Sequence, residues 1–347
     1  MTGRHVSALL VTALLVAALG TWLSSRKMAN PDTSAGQPVL KSLKAQLNEA
    51  TEVRVAKGDG SHVTLRKRPT DWVVVEREFP ADSGKVRKLL IDLSALETVE
   101  GKTSDPTKYA QLGVEDVTTP TAAGTRVEIV TPEKVHGVIV GKTSGMKSGY
   151  VRDTHSKQSV LATPQVLADA DPRRWLDSTL VDIPEARVKE VEVLPASGPA
   201  YRVTRENKEQ TDFTVPMLPK GRELASPGAA NPVAGDLAML TLTDVRHAPA
   251  PSETAPVKPE RAIFRTFDGL EIQVEGMREG DRHFISLMPA SSAKETTAES
   301  QSLDARVKGW QFEIPSYKYD GLFRPLEELL KKPEEKAGAK APKPPTN

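Results

Sequence analysis

Apolar and polar residues alternate along much of the chain, and this pattern predicts antiparallel strands. Residues 52–56 and 62–66 alternate on either side of the turn residues 57–60, which predicts a β-hairpin. Residues 262–266 and 270–274 flank an Asp-Gly turn in the same way. Further strands are predicted at 72–75, 125–131, 135–140, 149–152, 158–161, 190–193 and 201–205. We therefore expect strands to dominate the fold.

Helical spacing of apolar residues predicts a smaller number of helices. The strongest apolar stripe follows an N-cap at Asp82 or Ser83. It consists of Val86, Leu89, Leu90, Leu93 and Leu96. Thr163 and Pro164 form a favourable helix start. A short docking helix is predicted from Leu40, Leu43 and Leu47, and a closing helix from Leu322, Phe323, Leu326, Leu329 and Leu330.

The second half of the sequence repeats the order of features in the first. Residues 190–193 resemble residues 52–55, and residues 231–237 follow their strands as residues 80–86 follow theirs. An internal duplication explains this order. We therefore expect an α+β fold: a strand-dominated tandem repeat of two related antiparallel sheet-plus-helix units, preceded by one N-terminal transmembrane helix.

The N-terminal part contains an uncharged apolar stretch of 18 residues, 6–23. As a helix it would be about 27 Å long, close to the ~30 Å core of a bilayer. A cleaved signal peptide is the alternative, but residues 18–20 form a poor cleavage site and Trp22 suits a membrane interface. We predict an uncleaved single-pass anchor in the inner (cytoplasmic) membrane, with the bulk of the chain in the periplasm or otherwise outside.

These features divide the chain into five predicted regions. They are an N-terminal membrane anchor (1–27), a tether and docking helix (28–50), a first α+β repeat (51–185), a second α+β repeat (186–331) and a disordered Lys/Pro-rich tail (332–347). Two proline-rich stretches of the second repeat, 216–235 and 248–260, are predicted to be surface loops.

Composition excludes several kinds of chemistry. The chain has no cysteine, so disulfides, thiolate metal sites and thiol nucleophiles are impossible. Its 47 lysines and arginines nearly balance its 46 aspartates and glutamates, and no basic cluster stands in the folded region. This balance argues against a nucleic-acid-binding protein.

Motifs that could carry chemistry are incomplete. Residues 141–143 (Gly-Lys-Thr) resemble part of a phosphate-binding loop, but His136 stands where the first glycine is required, so we expect no nucleotide binding. No histidine has another within five residues, which predicts no local metal pair. The six are His5, His62, His136, His155, His247 and His283. Residues 281–283 (Asp-Arg-His) lack a companion nucleophile motif. No catalytic, cofactor-binding or metal-binding residue is therefore assigned.

Three tryptophans could stack against a ligand, because an exposed indole ring offers a flat apolar face. They are Trp72, Trp175 and Trp310. Each stands beside apolar residues, which favours packing in the core over ligand binding.

A set of short motifs in fixed order resembles the bacterial family DUF4340. The set comprises Trp72 with Pro80, residues 109–114 (Tyr-Ala-Gln-Leu-Gly-Val), 140–142, 149–152 (Gly-Tyr-Val-Arg) and 175–184. The resemblance extends from the anchor to Pro184, with a weaker second copy to Leu330, and residues 116–124 depart from it. It implies an anchored or exported envelope protein without established catalytic residues. Members are often encoded beside ABC-type permeases and gliding-motility-type auxiliary proteins.

These observations lead to one expected function and two alternatives. We expect a non-catalytic, membrane-anchored accessory or scaffold component of an ABC-type transport or envelope complex, without a cofactor. The expected partners are the membrane, through residues 6–23, and an ABC-type permease or auxiliary envelope proteins, with no nucleic acid and no nucleotide. The alternatives are a binder of glycan or another envelope ligand, and a hydrolase whose site is assembled from distant strands.

Overall fold

The computed structural model describes residues 35–249 and 260–332. The chain divides into two compact units, which we call unit 1 and unit 2, at the boundary between Asp177 and Ser178. Among the described residues, no helix is long and apolar enough to cross a membrane. The predicted anchor, nearly all of the predicted tail and most of the stretch 248–260 lie outside the described residues.

Unit 1 contains a nine-stranded antiparallel sheet. Its strands are β1 (Glu52–Lys57), β2 (His62–Lys67), β3 (Trp72–Val74), β4 (Phe79–Pro80), β5 (Glu97–Gly101), β6 (Thr125–Val130), β7 (Val135–Ser144), β8 (Ser148–Asp153) and β9 (Ser159–Thr163). They lie in the order β4-β3-β2-β1-β6-β7-β8-β9-β5. The predicted hairpin of β1 and β2 is confirmed, with Val53 opposite Leu65 and both side chains buried.

The described residues of unit 1, from 35 onward, form three α-helices: α1 (Leu43–Gln46), α2 (Ser83–Ser94) and α3 (Tyr109–Leu112). The predicted stripe of α2 is confirmed, because Val86, Leu89, Leu90 and Leu93 are buried. Asp82 caps this helix by accepting hydrogen bonds from the amides of Gly84 and Lys85. Short 3₁₀ turns are formed by Leu47–Glu49, Pro106–Lys108 and Pro172–Trp175.

The segment that enters unit 1 lies along β5. The Val39 amide donates to Leu96 O at 2.9 Å, and the Thr98 amide donates to Gln37 O at 2.8 Å. This pairing covers the edge of the sheet with backbone from the preceding segment. The docking helix is shorter than the leucine spacing predicts, since α1 has four residues and continues as a 3₁₀ turn.

The helix start predicted at Thr163-Pro164 is wrong. Residues 165–171 have no regular secondary structure, and only a 3₁₀ turn follows at Pro172–Trp175. The segment lacks a continuous apolar face, because Val166 is buried while Leu167 is exposed. Its last residue, Asp171, precedes a proline, which disfavours helical backbone there.

Unit 2 contains a seven-stranded antiparallel sheet in the order β12-β11-β15-β16-β17-β18-β14, and a separate pair formed by β10 and β13. The strands are β10 (Thr179–Val181), β11 (Val188–Leu194), β12 (Tyr201–Thr204), β13 (Leu240–Thr241), β14 (Asp244–His247), β15 (Glu260–Thr266), β16 (Leu270–Glu279), β17 (Arg282–Ser291) and β18 (Trp310–Glu313). The predicted hairpin around Gly269 is confirmed by the pairing of β15 with β16. Gly269 has a φ of 88°, which favours glycine. Both units therefore belong to the predicted strand-dominated α+β class.

In the part of unit 2 that the structure describes, there are three α-helices: α4 (Asn231–Ala234), α5 (Thr297–Val307) and α6 (Ser316–Leu322). Short 3₁₀ turns are formed by Glu185–Arg187, Pro227–Ala230, Lys294–Thr296 and Leu326–Leu329. The single closing helix predicted through Leu330 is wrong, because Pro325 separates α6 from the last 3₁₀ turn. The stretch 216–235 is not wholly a surface loop either, since α4 lies within it and buries Val233 and Ala234.

Candidate functional site

A polar cleft of about 520 Å³ lies on unit 1. We call it the histidine cleft. It is bounded by the entry segment 38–41, by the start of β7 and by the loop from β8 to β9. Its polar side chains belong to Lys41, Thr98, Lys134, His136, Asp153, His155, Ser156 and Gln158. The cleft brings together two histidines that the sequence separates by 19 positions, because β7 pairs with β8.

His136 is the buried histidine of this cleft, with 4% of its surface exposed. Its Nε2 lies 2.8 Å from Gln46 Oε1, and because an amide oxygen can only accept, the imidazole donates this bond. Gln46 in turn donates through its Nε2 to the carboxylate of Glu133. Burial lowers the pKa of His136, and the charge of Lys134 lowers it further. At neutral pH this imidazole is therefore uncharged, and it fastens α1 to the sheet.

His155 is exposed and does not belong to a catalytic relay. Its Nδ1 lies 3.3 Å from Asp153 Oδ1 and 3.4 Å from Thr154 Oγ1. A relay needs the carboxylate and the nucleophile on opposite ring nitrogens, whereas both groups here face the same one. Ser156, the other hydroxyl nearby, accepts a hydrogen bond from the Gln158 amide. His155 is therefore not placed to activate the hydroxyl of Thr154 as a relay would.

Two histidines and one aspartate line the cleft. His136 lies on β7 and already donates one ring N–H to Gln46, whereas His155 lies in the turn after β8. Within residues 35–249 and 260–332, no group of three or more His, Asp or Glu side chains is arranged to hold a metal ion.

The Gly-Lys-Thr sequence at 141–143 lies inside strand β7, which continues the strand predicted at 135–140. Lys142 Nζ donates to Gln111 O at 3.0 Å, so the lysine caps the C-terminal end of α3. A Cβ on Gly141 would lie 2.4 Å from Leu112 O, which explains the glycine by close packing. None of these contacts resembles a phosphate-binding loop.

Two of the motifs that define the family resemblance pack against each other. Arg152, which is buried, donates through Nε to Val114 O at 2.9 Å, and its guanidinium lies 4.7 Å from the Tyr109 ring centre. The Tyr109 hydroxyl donates to the backbone oxygen of Lys157. Tyr109, Val114 and Ile139 form one buried cluster. These motifs therefore hold unit 1 together, and sequence reasoning could not find their pairing because 38 positions separate Arg152 from Val114.

The three tryptophans differ in burial. Trp175 is 5% exposed, and its Nε1 donates to Asp169 O at 2.7 Å, so core packing is confirmed for this residue. Trp72 and Trp310 are half-buried. The Trp310 ring stacks on His247, with centroids 4.1 Å apart and an angle of 22° between the planes.

Unit 2 holds a carboxyl group whose ionisation is strongly disfavoured. Burial raises the pKa of Asp236 to about 7, although the charges of Arg324 and Lys318 oppose the shift. Its Oδ2 is buried without a hydrogen-bond partner. A Cβ at Gly321 of α6 would lie 2.5 Å from Asp236 Oδ1, so this glycine allows the carboxyl to approach the helix.

The fold and the cleft thus define a strand-dominated α+β protein with a polar cleft on unit 1. The profile of the family described as a domain of unknown function (DUF4340) matches residues 72–260. This match covers more than half of the chain, so the chain belongs to that family. The match begins in unit 1 and ends in unit 2. No curated protein and no solved structure matches the chain.

Proposed function

We propose that this chain is a non-catalytic, membrane-anchored envelope protein that acts by binding. The observation that supports this most directly is the geometry of the histidine cleft. Asp153 and Thr154 face the same nitrogen of His155, and His136 holds α1 in place. Such a cleft can recognise a polar group but offers no activated nucleophile.

The setting that we propose is the outer side of the inner membrane. Residues 6–23 anchor the chain, and the units that follow extend into the periplasm. There the chain is an accessory or scaffold component of an ABC-type transport or envelope complex. The support for this partner is the resemblance to a family whose members are often encoded beside ABC-type permeases.

We further propose that the two units are tandem copies. Support comes from the strand order, because β2-β1-β6-β7-β8-β9-β5 corresponds position by position to β12-β11-β15-β16-β17-β18-β14. In each unit, the segment before the first sheet strand also forms a backbone hydrogen bond with a residue that follows a helix, α2 in unit 1 and α4 in unit 2. Val39 bonds to Leu96 in unit 1, and Ile183 bonds to Leu237 in unit 2.

The test is in-cell crosslinking of the full-length protein followed by identification of the captured membrane proteins. We expect an ABC-type permease or an auxiliary envelope protein to be recovered, and a variant of the chain with charged residues in place of the apolar stretch 6–23 to lose it. The purified full-length protein should show no esterase, phosphatase, peptidase or glycosidase turnover, with or without divalent metals. Turnover that disappears on a single Asp, His or Ser substitution would favour the hydrolase alternative instead.

A second function, binding of an envelope glycan, is favoured by one observation. The half-buried Trp310 ring and the exposed His247 ring form a stacked pair at one edge of the unit 2 sheet. Stacked aromatic rings offer an apolar face of the kind that packs against a sugar ring. Saturable binding of a purified envelope glycan that is lost in Trp310→Ala would favour glycan binding over the scaffold role.

A further inference from the structure

A second cleft on unit 1, of about 490 Å³, is bounded by helix α2 and by the chain that follows β9. We call it the α2 groove. Helix α2 lines it with Lys85, Lys88 and Leu89, and the segment 165–169 lines it along its whole length. Residues of β6 and β7 complete the lining. The groove shares no lining residue with the histidine cleft, so it is a separate concave surface.

The backbone of the segment 165–168 is unpaired. This segment contains no helix, strand, turn or bend, so the chain is extended there. In the part of the chain that the structure describes, its N–H and C=O groups form no hydrogen bond. Val166 is nevertheless buried, and Gln165 and Ala168 are half-buried. Backbone groups in such positions are normally paired, so this segment offers the free N–H and C=O groups to which an added strand binds.

The apolar part of the groove is only partly covered. Leu167 is 74% exposed, whereas Leu89 and Trp175, which line the same groove, are buried. An apolar side chain that packs against Leu167 removes its surface from water, which is favourable. The groove can therefore accept an apolar side chain beside the extended segment.

The charged residues of the groove are three cations and two carboxylates: Lys85, Lys88, Arg174, Asp92 and Asp169. Lys88 binds Asp92 at 2.6 Å, and Lys85 donates to Arg174 O at 3.0 Å. The Arg174 guanidinium is mostly exposed and lies 3.9 Å from Asp169 Oδ2, which is too long for a hydrogen bond. Within the described residues this guanidinium forms no hydrogen bond. The groove therefore has a net positive charge and an arginine that can bind a carboxylate with both arms of its fork.

We propose that the α2 groove binds an extended peptide that carries a carboxylate side chain next to an apolar one. The peptide backbone pairs with the free groups of residues 165–168, as a strand adds to a sheet. Its carboxylate accepts hydrogen bonds from Arg174 and Lys85, and its apolar side chain packs against Leu167. At about 3.3 Å per residue, roughly four residues of peptide cover the four residues of this segment. The site is independent of the transport partner proposed above, because it rests on the groove alone.

The test measures the fluorescence anisotropy of a labelled Leu-Glu-Leu-Glu-Leu peptide added to the full-length protein in phosphatidylcholine nanodiscs, with empty nanodiscs as the blank. We expect saturable binding. The isosteric peptide with glutamine in place of both glutamates should bind about tenfold more weakly, because it loses its charged hydrogen bonds. A peptide with N-methylated backbone amides cannot donate to the segment 165–168 and should also bind about tenfold more weakly.

Two substitutions of exposed side chains in the groove should weaken binding without changing the fold. Arg174→Gln removes the available cation and should weaken binding about fivefold, between the effects of an exposed ion pair and a charged hydrogen bond. Leu167→Ser should weaken it about fivefold through lost apolar contact. The matched controls Arg66→Gln and Met146→Ser change an exposed arginine and an exposed methionine outside the groove. Both should leave binding unchanged.

Octanoate separates a peptide site from a site for anionic amphiphiles, because it supplies a carboxylate and an apolar chain but no peptide backbone. Octanoate that displaces the labelled peptide as well as the unlabelled peptide does would overturn the proposal in favour of an amphiphile. Equal binding of the N-methylated peptide would overturn main-chain pairing. Absence of saturable binding, or unchanged affinity in Arg174→Gln and Leu167→Ser with wild-type circular dichroism, would overturn the site itself.

Discussion

Seven of the nine strands in the unit 1 sheet lie in the same order as the seven strands of the unit 2 sheet, but the helices of the two units are distributed differently. In unit 1 the long connection before β5 forms α2, a helix of 12 residues with four buried apolar side chains. The corresponding connection in unit 2 contains only the four residues of α4. Unit 2 instead inserts the 11-residue helix α5 between β17 and β18, where unit 1 has a short loop. The same order of seven strands is therefore found with helices in different connections.

Each unit buries a titratable group, and burial shifts the pKa values of the two groups in opposite directions. Unit 1 buries His136, whose pKa is lowered by burial, and unit 2 largely buries Asp236, whose pKa is raised to about 7 by burial. In both cases the charged form is penalised in the folded state. Acid therefore destabilises unit 1 through His136, whereas neutral and alkaline pH destabilise unit 2 through Asp236. The stability contributed by His136 therefore rises with pH, whereas the stability contributed by Asp236 falls with pH.

The largest expected difference between the units concerns their tryptophans. Trp175→Ala should destabilise unit 1 by about 3–5 kcal/mol, the usual cost of removing a buried large aromatic side chain. Trp310→Ala should cost unit 2 about 1 kcal/mol, because the half-buried ring loses mainly its stacking on His247. Hydrogen exchange measured on peptides of each unit provides the two values separately. Equal losses in both units would contradict the assigned difference in burial.

Each unit should depend for stability on a buried arginine that donates hydrogen bonds to backbone oxygens. Arg205 donates to the backbone oxygens of Val188, Glu185 and Ala186, and Arg152 binds Val114 O in unit 1. Arg205→Met and Arg152→Met should each cost about 2–4 kcal/mol, because buried carbonyls lose charged donors. Lysine should not restore stability, since it lacks the planar fork.

The matched control for these arginines is Arg126→Met, whose side chain is 47% exposed. It should change stability by less than about 0.5 kcal/mol. Denaturant unfolding monitored separately in each unit measures all three variants. A small effect of Arg152→Met would show that the motif containing it serves something other than packing.

The sequence predicts most strands of the two sheets because their alternation and turn residues are local signals. It does not predict β4, β5, β14, β17 or β18. The β1–β2 and β15–β16 hairpins and the stripe of α2 follow from it directly. It does not predict α5, which buries only Ser300 and Val307 and therefore lacks an apolar stripe. The leucine spacing continues across Pro325 and therefore hides the break there. Pro164 suits the first turn of a helix, but the residues after it lack the apolar face that a helix needs.

The candidate sites are less accessible from sequence than the fold. His136 and His155 meet only because β7 pairs with β8, and Gln46 reaches His136 only because α1 lies against the sheet. In unit 2, the rings of Tyr319 and Phe323 approach β16 closely because residue 276 is glycine. Such sites are assembled by register and packing between distant residues, and no local motif records them.

Asp236 should reveal the pH dependence of unit 2. Its folded pKa of about 7 exceeds the ordinary value of 3.8, so the folded state binds the proton more tightly than the unfolded state. Stability contributed by this group is full below about pH 4 and is lost as pH rises to about 7. Asp236→Asn should remove this slope and raise the stability of unit 2 at pH 8 by roughly 2–3 kcal/mol.

The matched control for Asp236 is Asp281→Asn, which changes an exposed aspartate in the turn between β16 and β17. It should leave the pH profile of unit 2 unchanged. Thermal unfolding of the three proteins between pH 4 and pH 8 measures the difference. A wild-type profile retained in Asp236→Asn would show that Asp236 ionises normally in the folded protein.

The smallest expected effect on stability comes from substituting His136, the buried histidine of unit 1. Its folded pKa lies below the ordinary value of 6.5 because of burial and the nearby charge of Lys134, which together outweigh the attraction of Asp153. The unfolded state then binds the proton more tightly, so stability from this group is present above pH 6.5 and is lost as pH falls. His136→Gln can still donate to Gln46 and should cost unit 1 about 1 kcal/mol at pH 7.5, the worth of one altered hydrogen bond.

The variant His136→Gln should also reduce the loss of unit 1 stability between pH 6.5 and pH 5. The control His62→Gln changes a histidine on β2 that lies outside the cleft and should leave that loss unchanged. Hydrogen exchange at peptides of α1 provides the sharpest measurement, since His136 holds this helix through Gln46. Protection of α1 that falls equally with pH in the wild type and in His136→Gln would remove His136 as the cause of acid sensitivity in unit 1.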